Sequence, residues 1–376
     1  VSAAPDVRAD ELVADARLPN WLGRVKLAEH WLRFTYLRCL PKPLLPYVDA
    51  PLRRVVALGR RAAAAPIYLR QPLAVWQGDA GRVAVWSAPY APQLLFDVLF
   101  DEVPTRSAGG ALAFGLGTLI RRVHEVAADC DVLIAHTTPA LAPWLRRAGF
   151  FVVPGMVRFG GEPAALLAMQ RDHTNASAIA GDMRRVRRSR YRVEQWAYTP
   201  ERSRLYYDRY LQPHAHTRFG ARAEIGRFQF VDRIFKSGLL IAVIAAGQTE
   251  PDGLGLVVPR GDALWCVNLG IRDSDRAILR AGGMAAIYQA QMRFAHEQGW
   301  RMIDFGRCLP WASDGIYQYK SKWGLRPIRC PTQTLEYAVK VLRPESALAR
   351  RLLERGVIVR EGASYHPATA RDVSGG

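Results

Sequence analysis

Cysteine is scarce and scattered in this chain. Five cysteines stand among 376 residues, Cys39, Cys130, Cys266, Cys308 and Cys330, an odd number with no C-x-x-C spacing. That argues against a disulfide framework and against a cysteine zinc site. Long apolar runs are missing as well. The longest, Leu239–Ala246, is too short to cross a bilayer. The opening residues, VSAAPDVRADELVADA, are polar and acidic and lack the apolar core of a secretion signal. The expected location is therefore cytoplasmic, or peripheral at the inner membrane surface. Negative charge is in deficit: 34 Asp and Glu stand against 52 Lys and Arg, for a formal net charge of +18. Such a balance favours anionic partners, namely nucleic acid, CoA or nucleotide phosphates, or an acidic membrane. An Arg-rich, Ala-rich composition can equally reflect base bias in the coding DNA.

What is present suits a folded globular protein. Hydrophobic residues make up 49% and charged residues 23%, enough to build a core. The length predicts two domains rather than one. Residues 22–40 read as an amphipathic helix, with Trp21, Trp31 and Phe34 set among charges, broken by Pro41, Pro43, Pro46 and Pro51. Two readings stand for it: a peripheral membrane contact through residues 21–40, and a helix packed on its own domain. Residues 67–85 predict a hairpin around Gly78-Asp79. Residues 109–127, 139–147 and 206–211 predict helices, and residues 131–136 and 151–157 predict strands. The runs 239–246, 254–258 and 264–271 predict three more strands. The expected division is a helical extension over 1–55, a first domain over 56–170, a second over 171–345 and a C-terminal helix and tail over 346–376.

The halves show a weak internal repeat. Arg106-x-x-Gly109-Gly110 precedes a helix, a strand, a helix and Ala148-Gly149-Phe150. Arg280-x-Gly282-Gly283 precedes a helix, a strand, a helix and Trp323-Gly324-Leu325. Similar order at similar spacing points to two copies of one α/β unit. In the second copy the segment Gln289–Gly324 reads as a helix ending at Gly299, a buried strand Arg301–Phe305 stopping at Gly306, and a short helix carrying Tyr317, Tyr319 and Lys320.

This order, helix–strand–D-F-G–loop–K-x-x-W-G, resembles the C-terminal half of a GNAT-type acyltransferase domain. More narrowly, it resembles the FemAB-like branch, in which two such domains stand in tandem. The resemblance covers about residues 175–340. It implies an α/β fold of two GNAT-like domains, each a mixed sheet flanked by helices. It also implies direct transfer of an acyl group from an activated carrier to an amine or hydroxyl, with no tightly bound cofactor. The co-substrate would be an acyl-CoA or acyl-carrier thioester, or an aminoacyl-tRNA for amide-bond formation. The acceptor would be a small molecule or a cell-envelope precursor.

The resemblance assigns candidate roles. Asp304 would orient or deprotonate the acceptor, and Lys320 would stabilise the oxyanion or hold a phosphate. Tyr317, Tyr319 and His214 are further candidate acids or bases, and His216 stands beside the last. Arg280, Gly282, Gly283 and Ala285 match a turn that binds the donor's pyrophosphate on helix N–H groups, with Arg307 as a phosphate contact. Arg184, Arg185, Arg187, Arg188 and Arg190 form a basic helix suited to tRNA or other phosphates. Leu145 occupies the place of Lys320 in the first half, so the second domain is expected to do the chemistry. A reading of another class also stands, in which the same fold binds nucleic acid or a membrane surface without catalysis. No metal site is expected.

Overall fold

The computed structural model describes residues 70–86, 93–107, 112–171, 176–220, 223, 225–328 and 336–374. The N-terminal extension with the expected membrane contact at 21–40, Cys39, Cys330 and the Gly109-Gly110 turn lie outside them. The strands are β1 (Arg70–Gly78), β2 (Gly81–Trp86), β3 (Thr105–Arg106), β4 (Leu112–Gly115), β5 (Val132–Thr137), β6 (Phe151–Pro154), β7 (Val157–Gly161) and β8 (Arg192–Trp196). They continue with β9 (Leu239–Ile244), β10 (Gly253–Arg260), β11 (Ala263–Ile271), β12 (Met302–Cys308), β13 (Arg326–Ile328), β14 (Glu336–Val341), β15 (Ile358–Glu361) and β16 (Ser364–Pro367). The principal helices are α1 (Gln93–Leu99), α2 (Ala142–Arg147), α3 (Pro163–Arg171), α4 (Ala176–Ser189) and α5 (Pro200–Leu205). After these come α6 (Gln212–Phe219), α7 (Phe228–Phe235), α8 (Gly283–Glu297), α9 (Gly315–Lys322) and α10 (Ala347–Glu354).

The fold is α/β, with two seven-stranded mixed sheets flanked by helices. The first sheet runs β3–β1–β2–β5–β14–β6, with β4 also on β1. The second runs β13–β7–β12–β11–β10–β9–β8. Each contains one parallel pair, β2 with β5 and β11 with β12. A parallel pair needs a crossover between its strands, and α8 supplies it in the second sheet. Alternation along the strands buries both faces. On the second sheet Ile241, Val243, Val257, Leu264, Ile303 and Phe305 meet α8 on one face. Leu240, Ala242, Leu254, Leu256 and Val258 meet the helical layer of Tyr206, Tyr210, Val231 and Phe235 on the other.

The sheets exchange strands, so the boundaries expected at residues 170 and 345 do not separate them. β14 comes from near the C-terminus yet lies between β5 and β6 of the first sheet. β7 comes from the first half yet lies between β12 and β13 of the second. The expected strand over 151–157 is thus two strands in different sheets. Pro154 ends β6, since it has no N–H for the ladder, and the chain turns at Gly155-Met156 before β7. The C-terminal tail is likewise part of a core: Leu348 and Leu352 of α10 pack with Val83, Ile134 and Val339.

Three further expectations change. Residues 112–115 of the expected 109–127 helix are β4, paired to β1, and helix begins only at Leu116. The first hairpin turns at Asp79-Ala80, since Gly78 still pairs with Gly81. The expected helix over Tyr206–Leu211 is a π-helical segment between α5 and α6. It presses on β11 at Gly270, where a Cβ would stand 2.2 Å from the Tyr210 carbonyl oxygen, so only glycine fits.

A chain ending at residue 335 lacks β14, an interior strand of the first sheet, and α10, which packs on one face of it. It is expected to lose the cooperative unfolding of the first core in a circular-dichroism melt. A truncated chain that melts cooperatively at the wild-type temperature would disprove the exchange.

Candidate active site at a strand bulge

Between Asp304 and Arg307, β12 carries one residue more than the stretch of β7 that faces it: Asp304 pairs with Gly160, and Arg307 already pairs with Arg158. The expected strand end at Gly306 is therefore a bulge, and the strand continues to Cys308. Gly306 adopts φ +72°, a left-handed conformation suited to glycine. Its N–H donates to Asp304 Oδ1 at 2.8 Å. Asp304 Oδ2 accepts from Arg158 Nε at 2.5 Å, and both side chains are about nine-tenths buried. Gly160 has room for no Cβ, which would lie 2.6 Å from the Ile303 carbonyl oxygen. A small residue there lets β7 bring Arg158 close.

Arg158 also stands over the Trp265 ring, 5.5 Å from its centroid, with Arg260 at 4.8 Å. The indole N–H of Trp265 is buried and has no acceptor among the described residues. Neither Arg158 nor Trp265 was picked out in the sequence. Arg158 leaves one trace, a cation inside the otherwise apolar and glycine-rich run VRFGG.

Lys320 lies on α9, whose N-terminus is capped by Asp314 through the N–H groups of Ile316 and Tyr317. The lysine is 3% exposed. Its Nζ donates to the carbonyls of Arg307 at 2.9 Å and Gly306 at 3.3 Å, the carbonyls of the bulge. Burial pulls its pKa from 10.5 down to about 8, against the opposing pull of Cys308 and Asp304. Two acceptors match the two N–H groups of a neutral amine as well as they match an ammonium. Burial pushes the Cys308 thiol up to about 12 and raises Cys266 well above its ordinary range. Neither is an activated nucleophile.

The two tyrosines of α9 face different neighbours. Tyr317 stands edge-on to Phe159 with ring centroids 4.9 Å apart. Tyr319 stands edge-on to Tyr288 at 5.1 Å, and Tyr288 stacks on Phe305 at 4.5 Å. Burial raises the pKa of both hydroxyls. A hydrogen bond with Trp323, then Arg218 and Arg185, offset part of that effect on Tyr319. His214 is buried on α6, which rests against β11 and the turn after it. Burial, then the nearby Arg218, lowers its pKa to about 4, so it is neutral at physiological pH. Its Nδ1 has no partner among the described residues. The exposed His216 follows it.

The strands beside the bulge part company. β11 and β12 pair from Ala263 with Met302 to Trp265 with Asp304, and the ladder then ends. Past that point each keeps its other neighbour, β10 or β7. No residue of β11 past it is paired with one of β12. The N-terminus of α8 follows from the β11 side. Its first helical bond is from Ala286 N–H to the Gly282 carbonyl, 2.9 Å, which leaves the N–H groups of Gly283, Met284 and Ala285 before it.

Gly282 has φ +95°, and a Cβ there would stand 2.9 Å from Arg185 Cβ. Gly283 is pressed on Ile278, 2.7 Å from its hypothetical Cβ. Close packing of α4 and of Ile278 thus accounts for both glycines without a ligand. Arg280 and Arg307 are exposed. Arg185 pairs with the buried Asp182, which also takes Lys322 at 2.6 Å. Arg184, Arg187, Arg188 and Arg190 face solvent. Among the described residues no group of His, Cys, Asp and Glu is arranged to hold a metal ion, and no helix is long and apolar enough to cross a membrane.

No family model matches the chain, and no curated protein matches it in sequence. Solved structures with a similar course include L-PGS from Bacillus licheniformis, 11% identical with a TM-score of 0.37, covering 83% of this chain and 98% of that one. FemX is 12% identical with a TM-score of 0.35 over 74% and 90%. A tandem GNAT protein from the clavulanic acid biosynthesis pathway is 13% identical with a TM-score of 0.31 over 84% and 94%. At such identities and scores none of these likenesses fixes an activity.

Two substitutions test the bulge. Arg158→Met strands a buried carboxylate and is expected to cost about 3–5 kcal/mol in denaturant unfolding. Arg158→Met with Asp304→Leu should recover most of it, and equal losses in single and double variants would refute the pair. For Lys320 the folded pKa of about 8 lies below the ordinary 10.5. Below pH 8 both states hold the proton and the burial penalty is fully present. As pH rises from about 8 to 10.5, the folded state sheds its proton first, so stability rises, by on the order of 3 kcal/mol. Lys320→Met should lack that rise. Parallel pH–stability curves for the two proteins would show that the lysine is not buried this way.

Proposed function

We propose that this chain is an acyltransferase that passes an acyl group from a phosphate-bearing carrier directly to an amine or hydroxyl acceptor. The observation that carries the reading is the gap between β11 and β12 beyond Trp265 and Asp304. An extended carrier arm lying in such a gap can pair with main-chain groups on both sides, as an added strand would. Main-chain N–H groups in a water-poor gap are also suited to hold the oxyanion of a tetrahedral intermediate. The first N–H groups of α8 and the Arg218 charge near the Tyr288–Tyr319 cluster would serve the carrier's phosphate.

Asp304 is the acceptor-side group in this reading. Arg158 and the Gly306 N–H hold it as an oriented carboxylate, which suits it to fix an incoming amine or hydroxyl. Lys320 acts through the bulge: by holding the carbonyls of Gly306 and Arg307 it sets the backbone that carries Asp304. No covalent enzyme intermediate is needed, and the high thiol pKa values of Cys266 and Cys308 agree with that. The leading carrier is an acyl-CoA or acyl-carrier thioester. Aminoacyl-tRNA is the second, favoured by Arg184, Arg187, Arg188 and Arg190, which line the outside of α4 and its end and suit a polyanion.

The test supplies purified protein with acyl-CoAs or with aminoacyl-tRNA and a panel of amines, and follows thiol release or loss of the aminoacyl label. One carrier is expected to be consumed in an acceptor-dependent way. Asp304→Asn is expected to lower kcat by about 10²-fold with donor KM unchanged. Consumption of neither carrier, or undiminished turnover by a folded Asp304→Asn, would defeat the proposal.

A further inference from the structure

The last rung that joins β11 to β12 pairs Trp265 with Asp304. On either side of that rung, Leu264 and Cys266 of β11 and Ile303 and Phe305 of β12 belong to the core under α8. Side chains alternate along a strand, so Trp265 and Asp304 both point to the other face, with Cβ atoms about 5 Å apart. The gap opens just past this rung. Gly306, two residues beyond Asp304, leaves room at its closed end. Chain neighbours apart, only the Cys266 carbonyl oxygen, at 3.7 Å, comes within 4 Å of a Cβ built on Gly306 among the described residues. A space bordered by both strands therefore begins where the ladder stops.

Trp265 is partly buried, and its ring is held in place. Arg260 and Arg158 stand over it, 4.8 and 5.5 Å from the centroid, contacts that favour one orientation of the indole. Its N–H is buried and has no acceptor among the described residues. The Asp304 carboxylate does not use it: Oδ1 takes the Gly306 N–H and Oδ2 takes Arg158. Buried donors in folded proteins nearly always have an acceptor. A buried N–H without one, on the rung that closes the candidate site, points to an acceptor brought by a ligand. Positive charge over the ring makes the N–H a better donor and favours a negative oxygen as its partner. Ring packing alone would be served by phenylalanine.

We propose that Trp265 is a catalytic residue whose indole N–H holds the acyl carbonyl oxygen at the closed end of the gap, most strongly when that oxygen becomes an oxyanion. The inference rests on the acyltransferase reading and adds a side-chain donor to the main-chain donors of that reading. Entry of the carrier arm parts the strands past the rung, where no pairing has to break, and sets the carbonyl beside Trp265 and Asp304. The acceptor's lone pair forms the bond to the acyl carbon, the carbonyl π pair moves onto oxygen, and the acceptor's proton passes to Asp304. When the C=O bond re-forms, the bond to the carrier's sulfur, or to the ribose oxygen of an aminoacyl-tRNA, breaks. Asp304 then returns the proton to that leaving atom. The indole keeps its own proton throughout.

Turnover by the full-length protein tests it, with an acyl-CoA and an aminoacyl-tRNA as donors and a primary amine and an alcohol as acceptors. Trp265→Phe removes the N–H and keeps an aromatic ring under the arginines. It is expected to lower kcat about 10²-fold with every acceptor that the wild-type protein uses, with donor KM unchanged. Transfer to water passes through the same oxyanion and should slow by the same factor. β-(3-benzothienyl)alanine at position 265, in which sulfur replaces the N–H within the same ring shape, should behave alike. Wild-type kcat in either folded variant overturns the proposal and leaves the acyltransferase reading standing. So does a loss confined to donor KM, the sign of packing alone. If Trp265→Phe does not fold, the sulfur isostere decides. Consumption of neither donor by the wild-type protein removes the acyltransferase reading, and this proposal with it.

Discussion

An extra residue in β12 between Asp304 and Arg307 turns Gly306 into the left-handed region. A buried amine cannot be left without acceptors. The carbonyls of Arg307 and Gly306 supply them to Lys320, which reaches from α9 at 2.9 and 3.3 Å. The same twist aims the Gly306 N–H at Asp304, and Asp304 in turn fixes Arg158. Each interaction has a buried polar group that would be costly alone. Together they form a network in which the carboxylate has two partners and the amine has two acceptors. The bulge also stands where β12 ceases to pair with β11, so the network and the gap share one origin.

The first sheet is the control for this argument. It has the same arrangement: a parallel pair, then a helix, then a strand beyond an inserted neighbour. The helices α2 and α9 both end on a glycine in the left-handed region, Gly149 at φ +80° and Gly324 at φ +79°. Yet β5 pairs with β14 without a register shift from Val132 to Thr137. The residue in the place of Lys320 there is Leu145, fully buried. Lysine appears where the bulge appears. Its burial then goes with the backbone geometry that gives its amine two acceptors.

Much of this was legible in the sequence, for reasons that also explain what was not. Strands such as Leu239–Ala246 and the helix before Gly299 announce themselves through local periodicity and a glycine stop. The D-F-G and K-x-x-W-G motifs located Asp304 and Lys320 because both belong to one contiguous stretch. Arg158 could not be found that way. Its partner is 146 residues distant, and β7 reads as the tail of β6 until the turn at Gly155-Met156 is seen. The glycines of Arg280–Ala285 illustrate the opposite error. A phosphate-binding turn and a close helix crossing both demand small residues, and Arg185 Cβ over Gly282 supplies the second reason. The arginines of α4 divide likewise: Arg185 is held by the buried Asp182, whereas its neighbours remain in solvent.

Strand exchange ties the halves together at the point of interest. Arg158 reaches Asp304 on a strand contributed by the first half, and β14 returns from near the C-terminus to lie between β5 and β6 of the first sheet. A tandem repeat whose units merely touched could open at the interface without disturbing either sheet. Here, drawing the two halves apart would strip an interior strand from each, along with its ladder bonds. The gap between β11 and β12 faces away from that constraint. β12 is held by β7 on one side only, and β11 by β10, so local widening of the gap breaks no strand pairing. Asp304 is thus held from β7 and from within its own bulge, and the proposed reading sets the carrier along the facing edges, a combination of the kind that transfer by positioning requires.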